Sequence, residues 1–305
     1  MTGVYGAADE RQCIETLLVA LDRGVNFIDT SDAYGEGENE KLLRRILRGR
    51  ENVIIATKFG LTGKVGPSGP QINNTRQFVI QACEASLRRL GIEALDLYYP
   101  HRRDPQVPIE ELVGTLADLV RAGKVRQLGL CEVSSQTLRR AQRIHAIAAV
   151  QSEYSLWSRD PEAKLLDTCR ELGITFVAYA PLGRALLAGS LASVDQLAPT
   201  DIRRLFPRFQ SENFATNLEL ANLLRAFATQ RGMTSAQVAL AWLMTKGVVA
   251  IPGTKRAHYM IENAAAGSLV LTTQEVAQLD ALFPPNVAAG ARSPQFALRG
   301  TEQEA

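Results

Sequence analysis

The chain is poor in metal ligands and in net charge: its 305 residues include four cysteines and three histidines, and its formal charge is +2. Cys13, Cys83, Cys131 and Cys169 stand far apart, without metal-ligand spacing, and read as reduced, buried thiols. Thirty-four basic residues against thirty-two acidic ones, with no basic block, leave no electrostatic footprint for nucleic acid or an anionic membrane. Small molecules are the expected partners. No apolar stretch approaches the roughly 18 residues of a membrane span, and the first residues lack a basic and apolar signal pattern, so a cytoplasmic protein is expected. Neither a low-complexity segment, nor a linker, nor an internal repeat divides the chain. With 46% hydrophobic residues it is read as one domain over 1–305.

What the chain does have is an alternation of helical periodicity with short apolar runs, the pattern of a parallel sheet crossed by helices. Ile14, Leu17, Leu18 and Leu21 share a helical face, with Asp9 and Gln12 placed as a capping box. Strands are expected over 24–28, 52–57, 94–100, 125–130, 148–151, 174–179 and 248–251. Between them, helices are expected near 37–48, 79–90, 112–120, 135–147, 160–172 and 234–246. Asp160-Pro161 and Thr234 with Gln237 mark two of the helix starts. That is seven strands, whereas a closed barrel of alternating strands and helices has eight. Thr2 to Gly6 read as the loop after a further strand that this sequence does not carry.

Four polar residues fall at or just past the downstream ends of these runs: Asp29, Tyr34, Lys58 and His101. Barrel enzymes assemble their sites from such strand ends. A lysine ammonium beside a tyrosine favours the phenolate and makes the hydroxyl a better proton donor. Asp29 suits the task of holding Lys58, and a histidine can donate to an oxygen acquiring negative charge. The set therefore suits carbonyl reduction, with a cofactor supplying the hydride. Taken singly, each residue has a plainer reading: a structural ion pair, a packing tyrosine, a satisfied core histidine.

Three segments carry a family resemblance: Asp29-Thr30-Ser31-Asp32-Ala33-Tyr34-Gly35 with Asn39-Glu40, then Thr57-Lys58-Phe59-Gly60, then Asp96 through Arg102. In order and spacing they resemble the aldo-keto reductase superfamily. The segments from Gln151 to Arg159 and from Tyr179 to Arg184 look closest to its branch of pyridoxal reductases and plant and microbial carbonyl reductases. The resemblance implies an α/β fold of the (β/α)8 TIM-barrel type, NADPH bound in extended form, and a first strand preceding Thr2. It makes Tyr34 the general acid, tuned by Lys58 and Asp29, with His101 orienting the carbonyl. It further implies that Cys131, Glu132 and Gln151 hold the nicotinamide amide and that Tyr179 stacks on the ring. Ala180, Leu182 and Gly183 would line the pyrophosphate, and Glu262 and Asn263 would reach the adenine.

Pro252-Gly253-Thr254-Lys255-Arg256 adds a physical argument of its own. A strand-to-helix turn offers backbone N–H groups and a positive helix end to phosphate, and Lys255 and Arg256 suit the extra phosphate of NADP. Cys131 departs from the serine of many relatives, and a thiol is the weaker donor. The long segment from Arg184 to Phe214 is expected to form a flap that brings an arginine near the pyrophosphate. Residues 285–305 are expected either to cover the substrate or to fray. The alternative function is an NADPH-binding redox-sensing or regulatory subunit, the role that potassium-channel β-subunits of this superfamily play.

Overall fold

The computed structural model describes residues 1, 8–50, 52–63 and 71–304. The loop expected over Thr2 to Gly6 lies outside the described residues, as does any strand before it.

Among the described residues, seven parallel strands form one sheet in chain order. They are β1 (Phe27–Asp29), β2 (Ile54–Phe59), β3 (Leu95–Pro100), β4 (Val125–Cys131), β5 (Ile147–Glu153), β6 (Thr175–Tyr179) and β7 (Val249–Ala250). Helices α1 (Glu10–Asp22), α2 (Glu38–Leu47), α3 (Arg76–Leu90), α4 (Ile109–Arg121), α5 (Ser135–Ile144) and α6 (Leu165–Leu172) alternate with the strands. Four more follow: α7 (Ser211–Thr229), α8 (Ser235–Thr245), α9 (Ala257–Ala265) and α10 (Thr273–Leu282). A short antiparallel ribbon pairs Leu61–Thr62 with Gln71–Ile72.

The caps explain where the helices start and stop. Asp9 accepts the Gln12 N–H at the head of α1, Thr234 and Gln237 form a capping box on α8, and Thr272 and Glu275 form another on α10. Gly91 and Gly173 end α3 and α6 in the left-handed conformation that glycine tolerates best. One expected helix is broken: residues 160–163 make a 3-10 turn, and Lys164 (φ −154°) separates it from α6. The carboxylate of Glu162 in that turn accepts from Tyr154 and Arg159, which ties the turn to the end of β5. The strand expected over 24–28 is shorter and later, because Gly24 (φ +81°) still closes the end of α1 by donating to Leu21 O.

The sheet buries both faces, by different means. Its outer face and the helices share one large core, which includes Tyr98, Leu128, Leu130, Val150, Phe176 and Trp242. Its other face carries a small separate core of Ala56, Leu97, Tyr99, Cys131, Ala149 and Val177. Among the described residues no helix contributes to that second cluster, so the strands themselves must curl over it. The hydrogen bond from Gln151 of β5 to Asp29 of β1, 2.8 Å long, makes the curl explicit: these strands are four places apart in the sheet. Outside, α1 and α9 pack against each other, joining the helices that flank the two ends of the sheet. This is the architecture of an incomplete (β/α)8 barrel.

Interior space is tight beside Gly129, where β4 shifts register against β5 between Leu128 and Gly129. A Cβ at Gly129 would overlap the Tyr99 ring and press on the Ala149 carbonyl. Gly129→Ala is therefore expected to destabilise the fold by about 1–3 kcal/mol through overpacking, read as a lower urea midpoint with an unchanged slope.

Candidate active site

Alternation along the strands places Asp29 on β1, Lys58 on β2, Cys131 on β4, Gln151 on β5 and Tyr179 on β6 at the downstream end of the sheet. The paired partners confirm the level: Lys58 lies beside Tyr99, Cys131 beside Gln151, and Glu153 beside Tyr179. His101 follows β3, its N–H held by Phe59 O at 2.7 Å. Tyr34 sits in the loop after β1. Its N–H donates to Ser31 O, its carbonyl accepts from the Asn39 N–H, and Thr30 Oγ1 donates to Asn39 Oδ1 at 2.9 Å, which ties the loop to the first turn of α2.

The four residues singled out by the sequence come together. The Lys58 ammonium, 1% exposed, pairs with Asp29 and donates to Thr30 O at 2.8 Å. It lies 5.1 Å from the centre of the Tyr34 ring, and that ring meets His101 edge-on at 5.7 Å. Burial works against the charge on Lys58, but Asp29 and then Tyr34 outweigh it, and its pKa is raised. Burial, with Lys58 and Arg102 nearby, holds His101 well below its ordinary value, so the ring is neutral near pH 7.

Beneath this group lies a second polar layer that the sequence argument did not single out. Glu40, fully buried, accepts from Thr57 Oγ1 and Arg89 Nε, each at 2.6 Å. Ser31 contacts His101, and Asp32 is pushed up to about 7 by burial and by Glu40, against the pull of Arg89. Ser31, Asp32 and Glu40 were all within the quoted motif, but spacing alone does not separate them from ordinary loop polarity.

The cofactor candidates divide by location. Cys131, Gln151 and Tyr179 line the strand ends, with Ala180 (φ +49°), Leu182 and Gly183 (φ +55°) continuing past β6. A Cβ at Gly183 would overlap Trp157, which accounts for glycine there. The Cys131 thiol is buried and pushed up to about 12 by desolvation, so it is protonated near neutral pH. Glu132 is heavily committed within the protein: Ser152 Oγ, the Glu153 N–H and both Arg292 terminal nitrogens donate to its carboxylate, and the Glu302 N–H donates to its carbonyl. Gly253, Lys255 and Arg256 precede α9, whose N-cap is Arg256, while Glu262 is half-buried and Asn263 buried within that helix.

The segment expected as a flap over 184–214 carries a series of short 3-10 turns up to Phe209 and then enters α7 at Ser211. Arg203 is bound by Asp201, and Arg208 is buried against Ser158 and Trp157 O. Lys255 is near enough to Asp201 to favour its charged form, so this segment lies on the side of the loop before α9. The tail is tied down along its length. Besides the Arg292 pair, Asn217 exchanges hydrogen bonds with Ala289, Glu302 accepts from Arg103 and Ser134, and Glu304 accepts from Ser135. The described tail therefore packs against the rest of the fold rather than standing off it. Among the described residues no group of three or more acidic, His or Cys side chains could hold a metal ion, and no helix is long and apolar enough to cross a membrane.

The family model for the aldo/keto reductase family matches residues 1–283. Aldo-keto reductase str7 of Strobilurus tenacellus is 42% identical over 298 residues, covering 95% of this chain and 86% of that protein. Among solved structures, a glycerol dehydrogenase from Gluconobacter oxydans superposes with a TM-score of 0.83 at 27% identity, covering 95% of this chain and 89% of its own. An aldo-keto reductase from Klebsiella pneumoniae in complex with NADPH gives a TM-score of 0.71 at 31% identity, over 97% of this chain and 89% of its own.

The Arg292 clamp generates a stability prediction. Its bidentate bonds help hold Glu132 down at about 2, against an ordinary 4.5, even though burial pulls the other way. A depressed carboxylate stabilises the fold fully above its unfolded value, and that contribution fades as pH falls from about 4.5 towards 2. Arg292→Met strands a buried charge and is expected to cost about 3–5 kcal/mol at pH 7. Urea titrations at pH 7 and pH 3 should show a smaller penalty at the lower pH.

Proposed function

The chain belongs to the aldo/keto reductase family, and from that premise we propose that it is an NADP-dependent oxidoreductase that reduces small-molecule aldehydes and ketones to alcohols. Tyr34, Lys58, Asp29 and His101 are its catalytic residues in this reading. The single observation that carries it is the buried Lys58–Asp29 pair lying under the Tyr34 ring with a neutral His101 beside it.

The residues present fit a dinucleotide. Cys131 and Gln151 stand side by side at the strand ends for a carboxamide, with Tyr179 nearby for an aromatic ring. The turn from Pro252 to Arg256 opens α9 with two cations for phosphate, and Glu262 and Asn263 lie further along that helix for adenine. When bound, NADPH supplies the hydride to the carbonyl carbon. Tyr34 Oη gives its proton to the carbonyl oxygen as charge develops there. Lys58, kept charged by Asp29, stabilises the phenolate left behind. His101, being neutral, offers a hydrogen bond to the same oxygen without adding a second cation next to Lys58.

The finer assignment, to the branch of pyridoxal reductases and plant and microbial carbonyl reductases, is supported by the segments 151–159 and 179–184, and it suggests aromatic aldehydes and pyridoxal as first substrates. NADPH consumption with an aldehyde panel tests the reading directly. Tyr34→Phe is expected to lower turnover by about two to four orders of magnitude at unchanged NADPH affinity. Binding of NADPH without turnover in either protein would favour the regulatory role instead. Cys131→Ser, which restores a stronger donor, is expected to tighten NADPH binding a fewfold; equal dissociation constants would remove Cys131 from the carboxamide site.

A further inference from the structure

His101 is neutral, so it carries one N–H and one lone pair, and its usefulness to a carbonyl oxygen depends on which nitrogen holds the proton. A ring protonated on Nε2 donates from the side remote from Nδ1; a ring protonated on Nδ1 presents a lone pair there and repels the oxygen. The choice is made by whatever Nδ1 meets. In this chain it meets Ser31 Oγ, fully buried and 3.0 Å away.

Ser31 has a single hydroxyl hydrogen and three acceptors within reach. Nδ1 of His101 is at 3.0 Å, and Lys58 O and Asp32 Oδ1 are each at 3.3 Å. Lys58 O already accepts the Asp32 N–H at 3.0 Å, so it has less need of the hydroxyl. Asp32 is the remaining competitor. Half-buried, and facing Glu40 of α2 as well as Arg89 of α3, it is pushed up to about 7 by desolvation and by Glu40, so close to half of it is protonated at neutral pH. In that form it can donate to Ser31 rather than draw the hydroxyl away. The Ala33 N–H also donates to Ser31 Oγ, at 3.1 Å, which fills an acceptor lobe and leaves the hydroxyl hydrogen to go outward.

We propose that Ser31 is a positioning residue: its hydroxyl donates to His101 Nδ1 and thereby fixes the Nε2–H tautomer that presents a hydrogen-bond donor to the carbonyl oxygen. The proposal rests on the reductase reading for its purpose, but not for its geometry. Ser31 touches neither cofactor nor substrate in this scheme and acts only through the imidazole.

The test is imidazole nitrogen NMR on the full chain loaded with NADPH, with His101 assigned by its absence in His101→Gln. The expected result is a protonated Nε2 and an unprotonated, hydrogen-bonded Nδ1. In Ser31→Ala the Nδ1 resonance should move towards that of a free lone pair. In the same variant kcat/KM for an aldehyde should fall about tenfold at unchanged NADPH affinity, and Ser31→Thr, which keeps the hydroxyl, should restore both. A protonated Nδ1 in the wild type, or an unmoved Nδ1 resonance in folded Ser31→Ala, would overturn the proposal. If Ser31→Ala does not fold, the wild-type spectrum decides alone. Absence of turnover in the wild type would count against the reductase reading, while the tautomer would still be read from the spectrum.

Discussion

A lysine and an aspartate buried against each other hold this site together. Lys58 is 1% exposed and the Asp29 side chain 8%, and removing two such charges from water costs several kcal/mol for each ion. The cost is offset by a full set of partners: Thr30 O for the ammonium and Gln151 Nε2 for the second carboxylate oxygen. Those partners come from opposite parts of the sheet, so the pair is satisfied only when the sheet curls. Fold and site are in this sense one arrangement. The same pair leaves a fixed positive charge beneath Tyr34 and helps to keep His101 neutral.

A second concentration of buried charge lies at the same end of the sheet. Glu132 and Glu153 each gather cations from distant segments: Arg292 from the tail onto Glu132, and Arg184 and Arg208 from the turns after β6 onto Glu153. Buried ion pairs are weak evidence of added stability, because desolvation takes back much of the Coulomb energy. Their effect here is positional. The carboxylates at the strand ends thus draw the tail and the turns after β6 to the same end of the sheet.

The alternation of helices and strands made most of the architecture legible, since apolar runs leading into Asp29, Lys58 and His101 follow from parallel strands buried on both faces. Boundaries moved where local hydrogen bonding overruled pattern: Gly24 prolongs the close of α1, and the helix expected from Asp160 is interrupted at Lys164. The tail clamp was not legible at all. Arg292 meets Glu132 across 160 positions, from a stretch of small residues with no periodicity to mark it. Ser31 and Asp32 were in plain view inside the motif that named the family. Their relation to His101, 70 positions from Ser31, belongs to the folded chain and to no local pattern.

Direct hydride transfer at the strand ends is what this arrangement of side chains serves. The decisive measurement is the position of label in the alcohol formed from an aldehyde and NADPH deuterated on the transferable face of nicotinamide C4. One deuterium per product molecule is expected, on the carbinol carbon, with oxidation of the cofactor in equal amount. Cofactor oxidation that leaves the label out of the alcohol, or a carbinol hydrogen derived from solvent, would rule out direct transfer.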